Sequence, residues 1–143
     1  MNERVTFTWV GLDKAVVKLT KSLPESALYM MKLKVSESIH RIHSEAIKGI
    51  QKRSMGERVI RYKPGRHLHI VSKPGDPFNV DTGGTWTAIQ PISAANGMSA
   101  SIVGPQTAFW LERGTKDMKP RPWLRPALLK VSKLKSQIGL KIK

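Results

Sequence analysis

Residues 22–52 read SLPESALYMMKLKVSESIHRIHSEAIKGIQK, and the spacing of the apolar positions in this stretch decides the fold class. Leu28, Met31, Val35, Ile39, Ile42, Ala46 and Ile50 recur every three or four residues, the period that lines side chains up along one face of an α-helix. Ser22-Leu-Pro-Glu25 predicts the helix start: a hydroxyl cap, a proline in the first turn and a glutamate three residues on. At 1.5 Å per residue the helix runs roughly 40 Å to about Lys52. An apolar stripe of that length must lie on something.

The platform predicted on either side of it is β-sheet. Val5, Phe7 and Trp9 alternate with Thr6, Thr8 and Val10 as in a half-buried strand. Leu12, Val16, Leu19 and Leu23 then fall at helical spacing, predicting a short N-terminal helix. Residues 57–62 and 67–72 flank Lys63-Pro-Gly-Arg66, a type II turn signal. In that hairpin Leu68 and Ile70 are expected to face the core, with His67 and His69 outward. A second hairpin is expected to pair residues 85–92 with 98–103 around Asn96-Gly97. Between the hairpins runs a turn-rich loop, 72–84. After Pro122, Leu124, Leu128 and Val131 share one helical face, and residues 138–143 alternate like an extended strand. The expected fold is α+β: one small, mostly antiparallel β-sheet with a long amphipathic helix packed across it, a short N-terminal helix and a C-terminal helix. It forms one domain over residues 1–143, with 138–143 as an extended or disordered arm.

Composition narrows the chemistry. The chain has no cysteine, which excludes disulfides, thiolate zinc sites and thiol nucleophiles. The start, MNERVTFTWV, carries Glu3 and Arg4 and lacks the apolar core of a signal peptide. Residues 82–111 are uncharged and long enough to span a bilayer. Their prolines, Asn96 and Gly97 would leave backbone groups unpaired in lipid, so uncharged β structure is expected there instead. The net charge of +15 is uneven: residues 113–143 hold ten Lys or Arg against Asp117. A field of that sign suits a polyanion, an acidic protein neighbour or simply solvent.

No constellation of catalytic residues stands out. His40 and His43 with Glu45, and His67-x-His69, match no closed metal motif, and polar, non-ligating histidines are expected. The ten carboxylates form no local acid–base pair. Thr82-Gly83-Gly84 lacks the Gly-Lys-Ser/Thr and GxGxxG spacings of phosphate loops. Neither catalytic, metal nor cofactor-binding residues are predicted, and the chain is not expected to be an enzyme. Trp123, between Arg121 and Arg125 and among three prolines, suits a rigid protein–protein anchor.

Three ordered stretches carry a resemblance. Pro74-Gly75-Asp76-Pro77 precedes Asp81-Thr82-Gly83; Ala108, Leu111, Glu112, Gly114 and Thr115 follow; Pro122-Trp123-Leu124-Arg125-Pro126-Ala127 comes last. In this the chain resembles the tail-completion (neck) family of long-tailed bacteriophages over nearly its whole length. It departs from the family pattern at Thr107 for tyrosine, Arg113 for an apolar residue and Thr85 for leucine. The resemblance implies a minor tail protein of the virion, made in the host cytoplasm, that completes the head-proximal end of the tail and joins it to the head. It implies a six-membered ring of identical subunits. The partners would be tail terminator or tube and head-connector proteins and, without sequence preference, the packaged DNA, with no membrane and no cofactor. Pro74, Gly75, Pro77, Thr82, Gly83, Glu112, Gly114 and Thr115 are then structural motif residues. Glu112 is expected to bond backbone amides or an arginine, and Gly114 to adopt positive φ. Interface residues are expected at Trp123, Arg125, Ile138, Leu140 and Ile142. Rival readings are a stand-alone basic nucleic-acid-binding module and a small hydrolase with an unrecognised site.

Overall fold

The computed structural model describes residues 4–7, 23–62, 65–81 and 83–139, the side chains of 4–7 and 134–139 excepted. The elements are β1 (Arg4–Phe7), α1 (Glu25–Gln51), β2 (Arg58–Arg61), β3 (His67–Ile70), α2 (Gly84–Thr87), β4 (Gln90–Ser93), β5 (Ala100–Pro105), α3 (Gln106–Arg113) and α4 (Leu124–Gly139). The fold is α+β, as the periodicities predict. The short N-terminal helix expected over 12–23 lies almost wholly outside the described residues.

α1 starts two residues later than the capping pattern suggests. Pro24 is the cap residue, with extended ψ of 153° and no side-chain bond, and its carbonyl accepts from Leu28 N at 3.1 Å. Glu25 therefore opens the first turn, where its charge complements the helix dipole; Ser22 lies outside the described residues. Ile39, Ala46 and Ile50 are buried and Ile42 packs against them.

The sheet beneath α1 has three antiparallel strands in the order β1-β5-β4. Val5 pairs with Gly104, and Pro91 with Ile102. α1 packs on β4, β5 and α4. The tight turn between β4 and β5 centres on Asn96-Gly97, with Gly97 at φ 68° and Ala94 N donating to Ser99 O. Ile89, Ile102, Phe78, Ala108, Trp123, Leu124 and Ala127 complete the core under α1.

Two expectations change. The uncharged run is not β throughout: residues 84–87 form a helical turn and Gln106–Arg113 a two-turn helix, leaving only Gln90–Ser93 as the outer strand. Pro105, which opens α3, and Gly114, which closes it, are the start and stop signals that could have revealed this helix. β2 and β3 form their own two-stranded sheet rather than joining the platform. Their faces are also the reverse of those expected. Leu68 is 61% exposed and lies opposite Ile60, 49% exposed, whereas His69, opposite Val59, is buried. A two-stranded ribbon has no core of its own, so the inward face is the one whose polar atoms find partners on the body.

Candidate functional site

The structural centre is the junction between α3 and α4. α3 ends at Gly114, whose φ of 79° and ψ of 176° fall in a region open essentially to glycine alone. A Cβ there would lie 2.6 Å from Met118 O and 2.9 Å from Pro120 N. The chain folds back through Thr115 N–H to Met118 O (2.8 Å) and Arg121 N–H to Leu111 O (2.7 Å). This reversal brings the start of α4 beside Glu112. Glu112 Oε2 accepts from Trp123 N at 2.7 Å and Leu124 N at 2.8 Å, and Oε1 accepts from Arg125 N at 3.1 Å. One carboxylate thus satisfies three amides at a helix start that have no intrahelical acceptor, at the positive end of the helix dipole.

Trp123 is not a surface anchor. It is 1% exposed, donates Nε1–H to Ala108 O at 2.9 Å, and meets Phe78 edge-on with ring centres 6.4 Å apart. Glu112 holds its backbone from the protein side and Phe78 meets its ring, so the indole turns inward. Arg125 is exposed while its amide is held by Glu112. Ile138 lies in the last turn of α4, so the predicted strand does not begin there; Leu140 and Ile142 lie outside the described residues.

The turn-rich loop meets the same junction. Gly75, at φ 91°, donates its N–H to Pro120 O at 3.0 Å, and Arg121 Nε donates to Ser72 O at 3.2 Å. Pro77 sits beside α1 at Gly49, Pro74 is exposed, and Gly83 caps α2 at φ 86°. Thr82 lies outside the described residues. Behind them is a polar knot that sequence reasoning missed. Asn79 Oδ1 accepts from Ser54 N at 2.9 Å, and its Nδ2 donates to Ser54 O and Ile70 O, each at 2.7 Å. Ser54 Oγ donates to Asp76 Oδ2 at 2.8 Å and accepts from Lys73 N at 3.0 Å. An asparagine in a turn-rich loop gives little sign of such a role, since its partners are set by chain crossing.

A cleft of about 360 Å³ opens between this loop, β3, α2 and α3. Asp81 stands at its edge and gathers the inward face of the hairpin. His67 donates Nε2–H to Asp81 Oδ1 at 2.7 Å and Nδ1–H to Gly65 O at 2.7 Å. His69 Nδ1 lies 3.3 Å from the same Asp81 oxygen, and Arg61 Nε lies 4.0 Å from the other. The Gly65 carbonyl and then the Asp81 carboxylate raise the His67 pKa. Burial lowers that of His69, against the pull of Asp81. The bond from His67 holds Asp81 below the usual carboxylate range. When His67 is protonated, both its ring nitrogens donate and the pair forms a charged tie. His43 and Glu45, on α1, are engaged elsewhere: His43 donates Nε2–H to Ile89 O at 2.9 Å, and Glu45 bonds Lys48 and Lys130. Among the described residues no group of three or more His, Cys, Asp or Glu could hold a metal ion.

Thr85 and Thr107 also meet here. Their hydroxyls are 3.5 Å apart and both residues line the cleft.

Comparison with protein-family models, with curated proteins and with solved structures returned no match. No helix among the described residues is long and apolar enough to cross a membrane.

Proposed function

We propose that the protein is a structural component of a bacteriophage virion that completes the head-proximal end of the tail and joins it to the head as a ring of identical subunits. The observation that carries this reading is the meeting of all three resemblance stretches in one bonded unit. Glu112 ties α3 to the Trp123 segment, and Gly75 and Ser72 tie the loop to the segment before it. The Glu112 carboxylate is engaged with backbone amides, which suits a scaffold. Exposed apolar side chains fit assembly: Tyr29, Met30 and Leu33 lie on neighbouring positions of α1 and are 62%, 53% and 46% exposed. Arg125 and these α1 positions are the proposed subunit or neighbour contacts, and the basic surface faces acidic neck proteins or DNA.

The test is loss and complementation. Phage lacking this protein should accumulate filled heads and separate tails, and a plasmid copy should restore joined particles. Imaging of the purified protein, or of particles carrying a labelled copy, should show it as a ring at the junction. Normal joining without the protein would overturn the reading.

A further inference from the structure

The cleft beside the hairpin has features that a scaffold role does not require. Trp86 and Trp110 line it, and Trp110 is 46% exposed despite its size. Arg61 and Arg121 also line it, and so does Ser72, whose Oγ is buried and has no hydrogen-bond partner. The acid at its edge, Asp81, is already tied to His67 and lies within ion-pair reach of His69 and Arg61. Both flanking segments are basic. Residues 58–75 contain five Lys or Arg and no acid, and residues 113–121 contain four against Asp117.

An exposed indole in a concave, electropositive cleft recognises a ligand with a flat apolar face and negative charge on either side of it. We propose that the cleft binds single-stranded nucleic acid, seating one base against Trp110 and Trp86 while the adjoining phosphates lie on Arg61 and on the 113–121 segment. Indoles give stacking surface to any base, and the basic walls track the backbone, so the contact is tolerant of sequence. The volume of about 360 Å³ is near the lower end of ligand clefts, enough for one base with its sugar. A duplex keeps its bases stacked inside and presents one to a concave site only after unstacking and unpairing it, which single strands do not require. Arg121 is held by its bond to Ser72 O, which sets its direction in advance of binding. This inference goes beyond the tail-joining reading and stands or falls separately from it.

The experiment measures anisotropy of a fluorescein-labelled oligothymidylate of twelve nucleotides titrated with the full chain over a salt series. Binding should weaken with salt. Trp110→Ala should reduce affinity roughly five- to a hundred-fold while leaving the salt slope unchanged, because stacking releases no counterions. Arg61→Gln should lower the slope by about 0.7, the value of one single-strand phosphate contact. Trp110→Phe, which keeps a stackable face, should recover most of the affinity and serves if the alanine variant folds poorly by circular dichroism. Binding by Trp110→Ala equal to the parent overturns the proposal. So does no binding at all, or equal competition by unlabelled duplex of the same sequence or by polyglutamate, which would mark a general attraction for polyanions. Ring formation, imaged in the same preparations, reports on the tail reading independently.

Discussion

Replacing Glu112 by alanine strips the start of α4 of three hydrogen bonds at once. Two of the donors, Trp123 N and Leu124 N, belong to buried residues, at 1% and 6% exposure, and the third, Arg125 N, belongs to an exposed one. Water can replace the carboxylate at Arg125 but reaches the other two poorly. Loss of a helix cap costs about 1 kcal/mol, and a buried donor left unpaired costs about 1–3 kcal/mol. Partial access at the helix end puts the sum near 3 kcal/mol, a large share of the roughly 5–15 kcal/mol that keeps a domain folded. The assay is urea unfolding followed by tryptophan fluorescence, to which buried Trp123 contributes. A loss of about 3 kcal/mol moves the midpoint down by about 1–3 M with unchanged slope, or lowers Tm by about 10 °C for a chain of this size. Glu112→Gln retains acceptor capacity but loses charge, and should fall between the two. If Glu112→Ala unfolds within about 0.5 kcal/mol of the parent, the range of ordinary surface changes, the carboxylate does not hold the junction.

Gly114→Ala should destabilise by more than Gly75→Ala. Both glycines have positive φ, but a Cβ at 114 meets Met118 O at 2.6 Å while one at 75 meets nothing within 4 Å; thermal unfolding of the two variants ranks them, and equal losses would contradict the crowding argument. The His67–Asp81 tie has a definite pH sign. The folded state raises the His67 pKa above 6.5, so its stabilisation is complete below that value and is lost as pH rises through the folded pKa. The stability gap between parent and His67→Asn should therefore be wider at pH 5.5 than at pH 8 in urea titrations, and a gap that widens with pH would refute the assignment. His69 is shifted the opposite way, chiefly by burial, and remains in both proteins; its coupling to His67 is a smaller cause of that shift.

Local patterns were the legible part. The stripe from Leu28 to Ile50 marked α1 because helical period is a property of neighbouring residues. Asn96-Gly97 marked its hairpin turn because positive φ restricts which residues fit there. The charge and glycine logic around Glu112 and Gly114 likewise pointed to backbone amides or an arginine and to positive φ; the structure has the amides and the positive φ. α3 was less visible, since TAFWL has no alternation to separate a short helix from a strand.

What the sequence by itself determined is therefore the α+β class, the long helix and the chemistry of the Glu112–Gly114 turn, all set within a few residues of chain. Only the tertiary structure decided which face of the β2–β3 ribbon turns inward, because both faces carry aliphatic residues and the choice rests on Asp81, beyond the hairpin, meeting His67, His69 and Arg61. It also decided that Trp123 is core and not anchor. Proline spacing fixes a rigid turn, but whether that turn points outward or inward depends on Glu112 gripping its amides and Phe78 meeting its ring. Contacts between remote segments have no local period, so side-chain direction at a crossing is written in the packing alone.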